Sequence, residues 1–311
     1  MADQGNEATG LLRDIEMGLG AWSWGDRMFW NYGHGYTDAD IEAAFQTSLD
    51  AGVRMVDTAE VYGQGRSERL LGSFLKATPT PVFVATKFFP YPWRLRRQDV
   101  RGALRHSLER LGLEKVDLYQ IHQAFPPVSV ETWAEGLAEA VKSGLTRAVG
   151  VSNYNKNQMQ RAYTILSKYG IPLASNQVEY HLLDRRIEKD GLLDRCNELG
   201  VRVIAYSPLA MGLLTGKYTP ETPPPGLRGR RYGGILKGLQ ALISLMKEIG
   251  KDHEDKTPGQ VALNWTICKG TLPIPGAKTA TQAAQNCAGA GWRLTPEQVK
   301  ALDEASDKLA N

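Results

Sequence analysis

VDTAEVYGQG, residues 56–65, decides how the rest of the chain is read. The apolar, β-branched run VRMVDTA at 53–59 ends on a carboxylate, Asp57, and a phenol, Tyr62, follows in the next turn. Alone, neither residue implies chemistry. A strand-end Asp commonly caps a turn, and Tyr commonly sits at a rim. Their meaning depends on what ends the other strands.

Outward from this stretch the chain alternates. Short apolar runs recur at 17–22 (MGLGAW), 82–88 (VFVATKF), 116–122 (VDLYQIH), 146–153 (TRAVGVSN), 174–180 (ASNQVEY), 201–208 (VRVIAYSP) and 271–277 (TLPIPGA). Each predicts a buried strand. Between them lie amphipathic segments such as DADIEAAFQTSLDAG at 38–52, where Ile41, Phe45 and Leu49 recur at helical spacing before a terminal Gly. Eight strands alternating with helices predict a parallel sheet with right-handed crossovers. That many units in one chain favour a (β/α)8 TIM barrel over a doubly wound open sheet. No linker divides the chain, so one barrel domain over residues 1–311 is expected. Two additions stand out. The Gly/Pro-rich stretch 209–235, after strand seven, is long enough to be a lid or binding loop. The C-terminal segment LTPEQVKALDEASDKLA predicts an extra helix, capped by Thr295 with Pro296 in its first turn.

Composition narrows the function classes. The 311 residues carry 37 Lys and Arg against 34 Asp and Glu, a formal charge of +3, which gives no general nucleic-acid surface. The three cysteines, Cys196, Cys268 and Cys287, are odd in number and widely spaced, so neither a disulfide framework nor a metal site is expected. A reducing compartment is the default, and the cytoplasm is the expected location. No apolar run reaches the length of a membrane span. The N-terminus lacks a signal core and is acidic for an intact transit peptide. Chloroplast stroma is the alternative location if such a peptide has been removed. The chain leaves the oligomeric state open, a monomer being compatible with it.

In a (β/α)8 barrel the active site lies at the C-terminal strand ends. Strand two offers Asp57 and Tyr62, strand three Lys87, strand four His122; strands five to seven end in Ser152 and Asn153, Gln177, and Tyr206 and Ser207. Barrel closure brings such residues together. A free phenol titrates near pH 10 and is a reluctant acid at neutrality. A neighbouring ammonium favours the phenolate, a carboxylate holds the ammonium charged, and an imidazole donates to a substrate oxygen. The set suits proton transfer to a carbonyl oxygen. Singly, each has a plain structural reading. Asp57 caps a turn, Lys87 snorkels or forms a Schiff base, and His122 is a bonded core residue. His34, His106, His181 and His253 receive no role.

DTAEVYG, TKF, QIH, VGVSNY, NQVEYH, AYSPLAMGLLTGKY and PIPGAK, in this order, resemble the aldo-keto reductase superfamily, over about residues 17 to 307. GAWSWGDRMFWNYG and AGAGWRLT look similar to a bacterial and chloroplast-type branch. The resemblance implies a catalytic tetrad of Asp57, Tyr62, Lys87 and His122, with Tyr62 as general acid, Lys87 lowering its pKa and His122 orienting a small-molecule carbonyl. It implies a nicotinamide cofactor, since no side chain supplies a hydride. Ser152, Asn153 and Gln177 match positions bonding the carboxamide, and Tyr206 matches the residue stacked on the ring. Ser207, Leu209, Gly212 and Lys217 border the pyrophosphate. Lys278, Thr279, Gln282, Gln285 and Asn286 match the adenosine-phosphate region.

Many NADP-specific members carry Arg where Gln282 stands, and Gln lacks the cationic fork. Lys278 supplies a charge nearby, so NADPH is favoured over NADH. No complete GxGxxG follows strand one. Trp22, grouped with the cofactor residues, also belongs with Trp24, Phe29, Trp30, Tyr32, Phe88, Phe89, Tyr91 and Trp93 as aromatics of the two substrate loops; these imply apolar or aromatic aldehydes and ketones. Arg228, Arg230 and Arg231 are read as a solvated loop face with a phosphate contact as the alternative. Two other classes stay open: an NADPH-binding regulatory subunit resembling potassium-channel β subunits, and a Schiff-base lyase using Lys87.

Overall fold

The computed structural model describes residues 10–27, 29–225, 229 and 233–309. Its eight strands are β1 (Gly18–Gly20), β2 (Met55–Asp57), β3 (Phe83–Phe88), β4 (Val116–Ile121), β5 (Thr146–Ser152), β6 (Leu173–Glu179), β7 (Arg202–Tyr206) and β8 (Leu272–Pro273). They lie side by side in chain order, every neighbouring pair parallel. The ring meets where Gly20 bridges to Gly276, with the Gly20 N–H donating to the Pro275 carbonyl at 3.0 Å. A Cβ on Gly20 would stand 2.7 Å from the Ile274 carbonyl oxygen, so glycine is what lets the seam close. This is the expected (β/α)8 barrel.

Helices pack outside the strands, at Asp38–Asp50, Arg66–Ala77, Arg97–Leu111, Val130–Lys142, Lys156–Lys168 and Leu192–Leu199. Their ends follow local chemistry. Thr37 and Asp40 form a capping box at the first, and Gly112 takes a left-handed φ of 67° after the third. The predicted C-terminal helix is Pro296–Asp307, with Thr295 accepting from the Gln298 N–H at 3.2 Å. The connection after β7 carries short 3-10 turns at Ala210–Thr215 and Gly233–Ile235. Arg228, Arg230 and Arg231 lie outside the described residues. Two helices the sequence reading had not placed, Leu236–Lys251 and Pro258–Cys268, precede β8. β8 is far shorter than the apolar run 271–277, because Pro273 and Pro275 have no N–H for the ladder.

The barrel interior is layered. Met55, Ala85, Leu118, Ala148, Ala174, Ile204 and Leu272 pack inside with Leu12 from the segment before β1. Side chains two residues apart on a strand share a face, so the next inward layer is Asp57, Lys87 and Gln120, joined by Gln177. All four are buried. The barrel is thus oily in its lower half and polar toward the C-terminal mouth.

Gly20→Ala is expected to lower stability by about 1–3 kcal/mol, the usual cost of forcing a methyl into a packed contact. The midpoint of urea unfolding followed by circular dichroism measures it, and an unchanged midpoint would contradict the seam described here.

Candidate active site

The β2 exit supplies two groups. Asp57 ends the strand, and Tyr62 opens a tight turn in which Gly63, Gln64 and Gly65 all take positive φ (53°, 55° and 82°). A Cβ on Gly63 would meet the Gly25 carbonyl oxygen at 2.7 Å, which ties this turn to the first loop. From β3, Lys87 reaches across the barrel mouth. Its ammonium is fully buried and donates to Asp57 Oδ1, to the Thr58 carbonyl at 2.8 Å and to the Tyr62 hydroxyl at 3.3 Å. Asp57 Oδ2 accepts from Gln120 Nε2 at 3.1 Å and Gln177 Nε2 at 2.9 Å. His122 follows β4, its ring edge-on to Tyr62 with centroids 5.7 Å apart. The four residues singled out from three strand exits therefore stand together.

Their protonation follows from burial and charge. Burial pushes the Tyr62 phenol up and Lys87 pulls it down; burial prevails, so the net direction is upward and the hydroxyl keeps its proton. Lys87 thus lowers the phenol as expected, and burial outweighs it. Burial also opposes the Lys87 charge, but Asp57 and then Tyr62 outweigh it and hold the ammonium above its ordinary value. His122 is driven down to about 3, first by burial and then by the Lys87 charge. The imidazole is neutral at pH 7, and its buried Nδ1 has no hydrogen-bond partner among the described residues. The arrangement groups a protonated phenol, a fixed cation and a neutral ring at the C-terminal mouth of the barrel.

Beside them lies a second group. Asn153, at a positive φ of 60°, donates through Nδ2 to the His122 carbonyl (3.1 Å) and Ser152 Oγ (3.0 Å), and accepts from the Tyr206 hydroxyl at 3.0 Å. Ser152 Oγ donates to the Gln177 carbonyl at 2.9 Å. Past β7 the backbone is left-handed at Ser207, Ala210, Met211 and Gly212 (51°, 48°, 54° and 93°). Such turns aim peptide N–H groups to one side and favour anions. Amides, a half-buried phenol ring and this cradle are a donor set that fits a nicotinamide dinucleotide. Leu209 starts the turn, accepting from the Gly212 N–H at 2.9 Å, and Lys217 is exposed with its ammonium 4.9 Å from the Tyr218 ring.

The remaining cofactor candidates gather at the helix Ala280–Cys287. Thr279 caps it, accepting from the Gln282 N–H at 3.3 Å, while Gln282 Oε1 accepts from the Lys278 N–H at 2.9 Å. Asn286 donates to the Gly276 carbonyl at 3.2 Å, and Gln285 is exposed. Lys278 turns toward the first loop. Its ammonium lies over the rings of Trp30 (4.7 Å) and Tyr36 (4.5 Å) and donates to the Trp30 carbonyl at 3.2 Å. Trp22 stands 6.5 Å from Tyr62, stacked on Phe29 at 5.0 Å, so it borders the phenol. Trp24 and Phe88 are buried among core residues and Phe89 faces His122 at 5.6 Å. Gln120 was missed by the sequence reading. Its signal was available, since it precedes His122 on the inward face of β4. Among the described residues no His, Cys, Asp and Glu group is arranged for a metal, and no helix is long and apolar enough to cross a membrane.

An eight-stranded parallel barrel with ionisable groups at its C-terminal mouth defines the class of catalytic (β/α)8 proteins. The model of the aldo/keto reductase family matches residues 16–307, and the chain belongs to that family, as an NAD(P)H-dependent oxidoreductase. It is similar to the chloroplastic pyridoxal reductase of Arabidopsis thaliana, with 41% identity over 96% of this chain and 84% of that protein. It is 32% identical to the L-glyceraldehyde 3-phosphate reductase of Escherichia coli, over 88% and 84% of the two chains. Among solved structures, a glycerol dehydrogenase from Gluconobacter oxydans superposes with a TM-score of 0.83 at 29% identity, covering 94% of this chain and 91% of that one. An aldo/keto reductase from Klebsiella pneumoniae solved with NADP and acetate gives 0.74 at 28% identity, covering 93% and 90%. The family acts on small-molecule carbonyl substrates with a nicotinamide cofactor.

Neutral His122 has a testable sign. Its folded pKa lies below the ordinary 6.5, so its share of stability is present above that value and is lost as pH falls toward about 3. An NMR titration, with His122→Gln to assign the signal, should show one imidazole that stays neutral down to roughly pH 4. A midpoint near the ordinary value would overturn this electrostatic account.

Proposed function

We propose that the protein reduces aldehydes and ketones to alcohols with NADPH, Tyr62 acting as the proton donor. The observation that carries this reading is the Lys87 ammonium, which contacts the Asp57 carboxylate and the Tyr62 hydroxyl at once. The nicotinamide cofactor, when bound, would supply a hydride to the carbonyl carbon. Tyr62 gives its proton to the carbonyl oxygen as negative charge develops there, and Lys87 stabilises the phenolate left behind. Asp57 keeps Lys87 charged and aimed. His122, neutral, donates one hydrogen bond to the same oxygen. Ser152, Asn153 and Gln177 would hold the carboxamide of the bound cofactor, and Tyr206 would border its nicotinamide ring. Ser207, Leu209, Gly212 and Lys217 border the pyrophosphate. The whole chain acts as one barrel unit in this reading.

Lys278 is proposed as the residue that selects NADPH, assisted by Thr279, Gln282, Gln285 and Asn286. To meet a 2′-phosphate it exchanges its contacts with Trp30 and Tyr36 for the stronger charge pair. The aromatic first loop and the ring-rich β3 connection favour aromatic aldehydes. Pyridoxal, the substrate named for the plant relative, is an aldehyde of that type.

NADPH oxidation with an activated aromatic aldehyde tests the proposal. Tyr62→Phe and Lys87→Met should each lower kcat by about 10²–10⁴-fold, the range for removing general acid catalysis, while cofactor still binds. Turnover at the wild-type rate in Tyr62→Phe would remove the phenol from the mechanism. Lys278→Ala should weaken NADPH binding about tenfold or more and leave NADH nearly unaffected, as for losing one charged contact. Equal weakening of both, by fluorescence titration, would move the phosphate site elsewhere.

A further inference from the structure

Glu60 sits on the same turn as Tyr62, and its side chain is only 7% exposed. Nothing in the proton-transfer scheme uses it. Its carboxylate accepts from the Phe89 N–H at 2.7 Å and from both terminal nitrogens of Arg94, one contact at 2.9 Å and the other shorter. Arg94 also donates to the Phe89 carbonyl at 2.8 Å. Phe89 is thus gripped at both of its peptide groups. The Arg94 guanidinium lies over the rings of Phe88 (4.8 Å) and Tyr91 (5.1 Å), and the Glu60 N–H reaches the Lys87 carbonyl at 3.4 Å. The pair therefore fastens the β3 connection to the β2 turn that carries Tyr62.

What it holds is a row of rings. Phe89 stands edge-on to His122 at 5.6 Å, Tyr91 follows at 4.9 Å from Phe89, and Trp93 stacks on Tyr91 at 4.7 Å with 4° between the planes. Phe125, from the β4 connection, lies 6.2 Å from Phe89. The row runs outward from the imidazole to a rim where Trp93 is 73% and Phe125 47% exposed. A buried ion pair adds little net stability over apolar side chains of the same volume. Its bidentate geometry does fix direction.

Resting on the carbonyl-reductase reading above, we propose that Glu60 and Arg94 are a positioning pair for the acceptor. They hold Phe89 and the Tyr91–Trp93 stack in register with Tyr62 and His122, and so set a preference for flat aromatic carbonyl compounds over small aliphatic ones. Neither residue touches the reacting atoms. Loss of the pair lets the wall shift, and a displacement of about 1 Å can cost a hundredfold in a positioned reaction.

The test compares 2-naphthaldehyde with propanal in wild type, Arg94→Met, Arg94→Lys and the double replacement Glu60→Gln with Arg94→Gln. The double replacement leaves no lone carboxylate buried, which keeps the comparison readable if Arg94→Met is unstable. The ratio of kcat/KM for the aromatic over the aliphatic aldehyde should fall about tenfold or more in Arg94→Met and the double variant, through KM for naphthaldehyde, with partial recovery in Arg94→Lys. Binding of unreactive 2-naphthoate, read by tryptophan fluorescence, should weaken in parallel. An unchanged ratio, or an equal loss on both aldehydes, overturns the proposal. If the wild type reduces neither aldehyde, the carbonyl-reductase reading fails; naphthoate binding then decides the pair alone, and equal affinity in wild type and variants overturns it.

Discussion

The structure turns on an ion pair placed where charge is expensive. Lys87 and Asp57 face each other inside the barrel with side chains 0% and 2% exposed. Removing two charges from water is unfavourable unless every lone pair and proton is satisfied. Here it is. The ammonium has Asp57, the Thr58 carbonyl and Tyr62, while the other carboxylate oxygen has Gln120 and Gln177. That demand explains the polar upper layer of an otherwise apolar barrel. Four strands contribute to one network, so its geometry is fixed by the closure of the sheet and not by any one loop.

The same burial sets the working state of the phenol. Taken out of water, Tyr62 resists ionisation, and the cation beside it opposes that resistance without overcoming it. The result is a proton that stays on oxygen until negative charge appears close by, which is the behaviour wanted of an acid toward a carbonyl. The low imidazole pKa belongs to the same logic. A charged His122 beside charged Lys87 would be doubly unfavourable, so the ring stays neutral and acts only as a dipole.

Much of this was legible in the chain. Strand two announces itself by VRMV running into Asp57, and the spacing of the other apolar runs gave the strand order, since a parallel barrel turns sequence order directly into spatial order. Reading only strand ends then brought Asp57, Lys87 and His122 together without knowledge of any distance. What stayed hidden depends on side-chain direction and on long-range contacts. Gln120 reads as one more residue of a buried strand until its neighbours are seen. Glu60 and Arg94 meet 34 positions apart, and Lys278 reaches Trp30 across 248. No local pattern encodes such meetings. The helices Leu236–Lys251 and Pro258–Cys268 were masked by the Gly/Pro-rich connection before them, and β8 by two prolines inside an apolar run.

The C-terminal mouth of the barrel has two sides of different construction. Around Asn153, Tyr206 and the turn after β7, the groups are amides, a phenol and left-handed backbone, held by short-range bonds to neighbouring strands. Around Tyr62 and His122 the walls are rings from three separate connections, touching mostly through faces and edges: Trp22 with Phe29 and Trp30, Phe89 with Tyr91 and Phe125. Ring contacts tolerate sliding where hydrogen bonds do not. One side is thus rigid and the other adjustable. Two cations fasten the aromatic side. Arg94 pins one aromatic wall to the β2 turn, and Lys278 pins the other to the segment after β8. In the reading proposed above, Lys278 leaves its ring contacts for the cofactor while Arg94 keeps its own, so selectivity among carbonyl compounds would rest on the Arg94 anchor as much as on the rings.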